Sequence, residues 1–387
     1  MAGVGLCQVR NYLIQEVFML MSNFFRILFV SIFSLLLAAC GPESTSTNTQ
    51  TTGIDNSKTY NWKMVTTWPP GFPVLQEGAE RFADNIKVMS NGRLNIKVYA
   101  GGELIPPLQT FDAVSQGTVE MGHGSAYYWA GKVPEAQFFS TVPFGMTARG
   151  MNAWLYDGGG LDLWREVYKP FHVVPFPLGN TGVQMGGWFN KEINSLEDIK
   201  GLKMRIPGLG GKVFAKAGGN PVLLAGSEVY TALERNTIDA TEWIGPYHDQ
   251  RLGLYRAAEH YYYPGWHEPG TVLELTINER AWLSLPADLQ AIVSNAAQAE
   301  NVRMLSEMEQ KNMSALQELR QRENVQIHHF PKDVLAKLRS LTDETLKEEA
   351  DKDPKFKQVF EAYQQFRQLN DDWSAISESA YLAMDKD

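Results

Sequence analysis

The sequence predicts an α/β protein built on open sheets, and three observations carry that expectation. Short runs of period-two alternation, such as Tyr60–Thr67 and Leu94–Tyr99, lie between stretches with helical spacing of apolar residues. Turn residues punctuate the change of period, as at Trp68-Pro-Pro-Gly71 and Asn91-Gly92. The 387 residues are too many for one small core and suit two or three compact units.

In chain order, the first unit opens with the strand Tyr60–Thr67, which sets Trp62, Met64 and Thr66 against Asn61, Lys63 and Val65. A helix over 74–89 follows, with Leu75, Ala79, Phe82 and Ile86 on one face. Leu94–Tyr99 is the second strand, Leu108–Gln116 a helix, and Val119–Gly122 a short strand running into Gly124–Ala130. In open α/β sheets ligands gather at the carboxyl ends of strands, which puts Trp68, Ser125, Tyr127 and Tyr128 on the rim of a cleft.

Met151–Tyr168 reads as helix, Phe171–Leu178 as strand, and Val183–Phe189 as strand with Gln184 near its start. Ser195 caps a helix start, with Asp198 three positions on. Leu202–Ile206 places Arg205 on the face opposite Leu202, Met204 and Ile206, and Pro207-Gly208 ends the strand there. A helix over 212–217, a strand over 221–224, a helix over 229–235 and a strand over 238–243 complete the second run. From Ala281 the chain is helical, with a period near 3.6 over 289–319, and Val325–Phe330 is the last strand. Lys355–Met384 carries Phe356, Val359, Phe360, Tyr363, Phe366, Leu369, Trp373, Ile376 and Tyr381. A helix so apolar along one face packs on its own body or on a second copy.

Composition excludes several functions. The net charge is −9 and the Lys and Arg residues are scattered, so no basic stripe is present to neutralise a nucleic-acid backbone. Both cysteines, Cys7 and Cys40, precede the folded body, which therefore holds no disulfide, thiolate metal site or cysteine nucleophile. Phe24–Ala39 is apolar apart from Arg26 and two serines, and residues 1–39 read as a signal peptide, with Met21 an alternative start to Met1. Leu37-Ala-Ala-Cys40-Gly41 resembles a bacterial lipobox, in which Cys40 takes the lipid, and the polar stretch to residue 58 is a tether.

The chemistry concentrates between Asn180 and Glu268. An arginine at a strand end among apolar neighbours is costly to bury without an anion, and the Arg205 fork suits a carboxylate. Glu242 and Glu268 lie beside Trp243 and Trp266 near Gly-Pro and Pro-Gly turns, and such a pair serves either as acid and base or as a chelate for a hard cation. One guanidinium against two glutamates and a monocarboxylate ligand leaves two uncompensated negative charges in a drying cleft, which favours Na⁺ or Ca²⁺. Sharper motifs fail. Gly208–Lys212 lacks the spacing of a phosphate loop, Gly122-His-Gly-Ser125 lacks that of a nucleophile elbow, and His267-Glu268 lacks the second histidine of H-E-x-x-H. The seven histidines show no i, i+4 pairing, and adjacent His328 and His329 point to opposite faces of a strand. No catalytic triad is apparent, and the protein is not expected to be an enzyme.

From Tyr60 to about Met384 the chain resembles the extracytoplasmic solute-binding proteins of tripartite ATP-independent periplasmic (TRAP) transporters, the DctP family. Trp68-Pro-Pro-Gly71, Gly201-Leu-Lys-Met-Arg-Ile-Pro207 and Ile238-Asp-Ala-Thr-Glu-Trp243 carry the resemblance. Glu242-Trp243 stands where many members have Glu-Asn. With Tyr261-Tyr-Tyr-Pro-Gly-Trp-His-Glu268 it resembles the 2-oxo acid-binding, TakP-like branch, near lactate binders. The resemblance implies a two-domain periplasmic-binding-protein (type II-like) fold with a hinge cleft. Its domains would be 59–181 plus about 271–310 and 182–270 plus about 311–354. Residues 355–387 would form a C-terminal helix able to join a homodimer by swapping. It further implies that Arg205 clamps the ligand carboxylate and Gln184 bonds ligand or cation. Glu242, the Trp243 carbonyl and Glu268 would hold Na⁺ or Ca²⁺, with Tyr127, Tyr128 and Trp188 as walls. His267 replaces another aromatic, and a lipid at Cys40 departs from the usual free periplasmic form. The implied function is capture of a small 2-oxo monocarboxylate, pyruvate-like or longer, for delivery to TRAP permease subunits. The alternatives are 2-hydroxy acids such as lactate, a sensor module for a signalling system, or a metal-assisted lyase using Glu242 and Glu268.

Overall fold

The computed structural model describes residues 58–384, so the leader, the lipobox at Cys40 and nearly all of the tether lie outside the described residues. The chain opens with β1 (Tyr60–Thr66), α1 (Leu75–Met89), β2 (Leu94–Tyr99), α2 (Thr110–Ser115) and β3 (Met121–Gly124). Helices α3 (Ala148–Tyr156) and α4 (Gly160–Tyr168) lead into β4 (Val173–Asn180). Next come β5 (Gly187–Phe189), β6 (Lys203–Arg205), α5 (Gly208–Lys216) and β7 (Asn220–Val222). They are followed by α6 (Gly226–Glu234), β8 (Ala240–Thr241), α7 (Pro246–Leu252) and β9 (His260–Tyr263). β10 (Val272–Asn278), α8 (Glu279–Ser284) and α9 (Ala287–Arg320) then precede β11 (Gln326–His329), α10 (Lys332–Lys352), α11 (Pro354–Ile376) and α12 (Glu378–Ala383).

These strands form two mixed sheets, ordered β2-β1-β3-β10-β4 and β11-β9-β5-β8-β6-β7. In the first, β1 runs parallel to both β2 and β3, and β10 is antiparallel to β3 and β4. In the second, β6 is parallel to β7 and β8, β9 is parallel to β11, and β5 is antiparallel to β8 and β9. The chain passes from the first sheet to the second between β4 and β5, returns between β9 and β10, and crosses a third time through α9 to β11. The expected division near residue 310 falls inside α9, which runs unbroken from Ala287 to Arg320 and buries Met304 and Met308 in the same cluster as Trp68 and Trp243.

Apolar spacing governs the long elements. Leu75, Ala79, Phe82 and Ile86 of α1 are all buried, as their spacing predicts. Short elements depart from expectation. Gln184 precedes β5 because the chain is still crossing between sheets there, with glycines 182 and 187 at φ of +70° and +114°. The strand expected over 238–243 shrinks to Ala240–Thr241, and that over 221–224 becomes Asn220–Val222. The helix expected from Lys212 starts at Gly208, directly after Pro207. Ser195 and Asp198 do form a capping box, but on a single turn of 3₁₀ helix, Leu196–Ile199. The expected 355–387 helix breaks at Ser377. Its first half buries Phe356, Val359 and Tyr363, while Leu369, Trp373 and Ile376 are exposed.

Candidate functional site

β6 and β8 are parallel neighbours, with Arg205 in register with Thr241, so Arg205 and Glu242 emerge at the same carboxyl end of the second sheet. The Glu242 N–H also donates to the Arg205 carbonyl at 3.2 Å. The Arg205 side chain is 1% exposed. Its Nη1 donates to Glu242 Oε1, its Nη2 to the Tyr128 hydroxyl at 3.4 Å, and its Nε to the Leu224 carbonyl at 3.3 Å. The Trp243 ring lies 5.0 Å from the guanidinium carbon, a cation–π contact. Burial works hardest against the arginine's charge, but Glu242, the Tyr127 and Tyr128 hydroxyls and Glu268 together outweigh it and raise its pKa.

The first sheet supplies the opposite wall. β3 ends at Gly124, and the chain turns through the 3₁₀ segment Ala126–Trp129, which carries Tyr127 and Tyr128 with ring centroids 4.9 Å apart. Gly208 starts α5 against this turn. It holds φ at +61°, and a Cβ there would lie 2.9 Å from Tyr127 Cβ, so glycine is required on both counts. Trp68 and Ser125 are buried rather than on a rim: the Trp68 indole N–H donates to His123 at 2.7 Å, and the Ser125 hydroxyl has no partner among the described residues.

The first two crossovers supply the remaining groups. Gln184 lies on the first and Glu268 on the second, and backbone bonds join the crossovers, from Gln184 N–H to the Glu268 carbonyl at 3.1 Å and from Gly265 N–H to the Gln184 carbonyl at 2.9 Å. The Gln184 amide donates to Glu268 Oε2 at 2.7 Å, and the Thr271 hydroxyl donates to the same oxygen. Glu242, His267 and Glu268 each offer one ligand atom within 4.8 Å of the others, and all three are buried. Burial raises both carboxyls to about 7, with Glu242 adding to the shift of Glu268. Burial lowers His267 to about 4, leaving its ring neutral.

Two oxygens in this cluster, Glu242 Oε2 and Gln184 Oε1, are buried without a hydrogen-bond partner among the described residues, as are the ring nitrogens of His267. Unmatched buried oxygens are costly, and an oxygen-rich set with two carboxylates fits a hard cation such as Na⁺ or Ca²⁺. Of the residues predicted from sequence, Arg205, Glu242, Trp243 and Tyr128 are in direct contact, and Gln184 meets Glu268. Trp188 stands apart from these contacts. It is fully buried, stacked on Tyr261 at 4.1 Å, with its indole N–H donating to Asp249 at 3.0 Å. Sequence reasoning read His267 only as a replacement for an aromatic and not as a member of the ligating set, although its Nε2 is 3.5 Å from Glu242 Oε2 and its place beside Glu268 is a usable signal. It also missed Asp249, which accepts from the Ile244 N–H at 3.1 Å and the Tyr261 hydroxyl at 2.8 Å and so fixes the backbone just after Trp243.

Residues 64–353 match the family described as bacterial extracellular solute-binding protein, family 7 (DctP). The monocarboxylate 2-oxoacid-binding periplasmic protein of Nostoc sp. is 44% identical over 337 residues, 87% of this chain and 91% of that protein. Among solved structures, a TRAP periplasmic solute-binding protein from Pseudoalteromonas atlantica with bound sodium and pyruvate matches with a TM-score of 0.82 at 44% identity, covering 84% of this chain and 99% of that one. A second, from Colwellia psychrerythraea with bound calcium and pyruvate, matches at 45% identity with the same TM-score and coverage. With the family match spanning both sheets and the cleft residues between them, the chain belongs to the DctP family of bacterial extracellular solute-binding proteins.

Proposed function

We propose that the protein captures a small 2-oxo monocarboxylate, pyruvate or a longer homologue, together with Na⁺ or Ca²⁺, and presents it to the membrane subunits of a TRAP permease. The observation that carries this reading is a buried guanidinium facing two buried glutamates whose cluster keeps two acceptor oxygens unpartnered. Relatives that hold pyruvate with sodium or calcium support both the anion and the ion. In this reading Arg205 turns its fork to the ligand carboxylate, Tyr127 and Tyr128 shape the wall, and Glu242, the Trp243 carbonyl, Glu268 and Gln184 hold the cation. The ion would offset the charge of the glutamates and accept a carboxylate and an oxo oxygen from the ligand. No bond is made or broken, so unaltered ligand should be recovered after prolonged incubation.

Closure of the two α/β halves over the ligand follows the expected division of the chain, with the crossovers as hinge. The exposed Leu369, Trp373 and Ile376, spaced to lie along one side of α11, support pairing of two copies through the C-terminal helix. Among the described residues no helix is long and apolar enough to cross a membrane. A periplasmic location with a lipid on Cys40 as anchor completes the reading, and Cys40→Ser should then release the protein from the envelope membrane.

A thermal-shift panel of pyruvate, longer 2-oxo acids, lactate and dicarboxylates, each with Na⁺ or Ca²⁺, tests the ligand class. Pyruvate at 100 times its Kd should add about 2.7 kcal/mol of stability. A shift with dicarboxylates alone would overturn the reading of Trp243. Arg205→Ala should abolish the response, and retention of it would remove Arg205 from the site.

A further inference from the structure

A second cluster of ligating side chains lies at the edge of the second sheet, away from the cleft carboxylates. The parallel pairing of β9 with β11 sets Gln326 opposite His260 and His328 opposite Tyr262. His260 and His328 are therefore two positions out of register on the same face, and His260 Nδ1 lies 3.1 Å from His328 Nε2. Glu192 follows β5, whose Phe189 pairs with His260, and its carboxylate completes a set in which the three ligand atoms lie within 4.8 Å of one another.

Two imidazole nitrogens bound to one tetrahedral Zn²⁺ at 2.0–2.1 Å sit about 3.3 Å apart, close to the separation found here. The carboxylate side chain is held ready. The Tyr262 ring stacks on His328 with centroids 5.0 Å apart, and its hydroxyl accepts the N–H of Ile193, next to Glu192, at 2.7 Å. Asn194 donates to the Glu192 carboxylate at 3.2 Å. One tyrosine thus braces both a histidine and the backbone that carries the glutamate. The two histidines are half-buried and Glu192 is exposed, so the cluster is open to an ion from solution.

We propose that Glu192, His260 and His328 form a binding site for a borderline divalent transition-metal ion of the Zn²⁺ class, with the fourth position left to water. Mixed nitrogen and oxygen donors of this kind suit Zn²⁺, Ni²⁺ or Cu²⁺ and set the site apart from the oxygen-rich cluster in the cleft. With the ion in place, both facing nitrogens give up lone pairs to the metal, and the proton they share moves to the far nitrogen of its own ring. The ion would then bridge the end of β5 and the paired strands β9 and β11. Because β11 is the outermost strand of its sheet, its docking would gain most.

The test is titration of Zn²⁺ by calorimetry into the protein already saturated with pyruvate and Ca²⁺, which occupies the cleft. One further equivalent should bind. His260→Gln and His328→Gln should each lose it, and Tyr262→Phe should weaken it about 10-fold, as loss of an outer-shell partner does. Each variant should keep the thermal response to pyruvate and Ca²⁺, which shows that it is folded. No uptake by the unaltered protein, or unchanged affinity in His328→Gln, would overturn the assignment. Glu242→Gln should keep the Zn²⁺ equivalent. Its loss there would move the ion to the cleft and likewise overturn the proposal, whereas failure of the pyruvate response with Zn²⁺ uptake intact would count only against the proposed transport function.

Discussion

At the scale of single residues, the site depends on the buried contact between Arg205 and Glu242. Removing one partner of a buried ion pair typically costs about 3–5 kcal/mol, because the other is left unpaired. Arg205→Ala should therefore lower the chemical-denaturation midpoint as well as silence the ligand response. Arg205→Lys separates the two effects. The ammonium can still meet Glu242 but cannot present a planar fork, so stability should stay closer to the unaltered protein. Ligand affinity should fall by about 10- to 100-fold, the equivalent of about 1.5–3 kcal/mol for a charged hydrogen bond, measured by calorimetry. Arg205 was legible from its place at a strand end among apolar neighbours together with the family resemblance, and Glu242 and Glu268 from their places beside Trp243 and Trp266 near Gly-Pro and Pro-Gly turns. The pairing of His260 with His328 was not legible. It depends on strand register across 68 positions of sequence, whereas inspection of histidine spacing along one strand finds only local pairs.

At the scale of elements, the start of α5 and the end of α11 make separate claims. Gly208→Ala places a side chain at φ of +61° and against Tyr127, so it should cost about 1–2 kcal/mol from backbone strain and weaken ligand binding by displacing the tyrosine turn. Unfolding curves and a calorimetric titration would read the two losses. If two copies pair through α11 as proposed, Trp373→Glu should give monomers in sedimentation while leaving the monomer's unfolding free energy within about 0.5 kcal/mol, since Trp373 is exposed. The long helices were readable because many apolar positions vote together, as in α1. Two- and three-residue strands such as β8 and β5 were overdrawn, because their extent is set by neighbouring strands and by glycine geometry in the crossovers, which periodicity does not register.

At the scale of the whole molecule, stability should respond to pH through a group that is not among the proposed ligand residues. Glu274 on β10 is fully buried, accepts from Trp129 at 2.6 Å and Tyr168 at 2.8 Å, and has its carboxyl pushed up by burial to about 8. In the unfolded chain this acid ionises near its ordinary value of 4.5, so stability is full below that and is lost as pH rises towards 8. Glu274→Gln should flatten part of that decline in a series of melts from pH 5 to 8.5; an undiminished decline would assign it to other groups. The changes of sheet along the chain could be anticipated only through family likeness, because nothing in local patterning says which strands pair.

The first two crossovers, stitched to each other through Gln184 and carrying Glu268, have a mechanical consequence. If the molecule bends where they run, its pivot is built from the same atoms proposed to hold the cation. Cargo and posture then cannot be set independently: an organic acid arriving without its ion would leave the joint slack, and a membrane partner that senses the angle of the jaws would be sensing the ion as well.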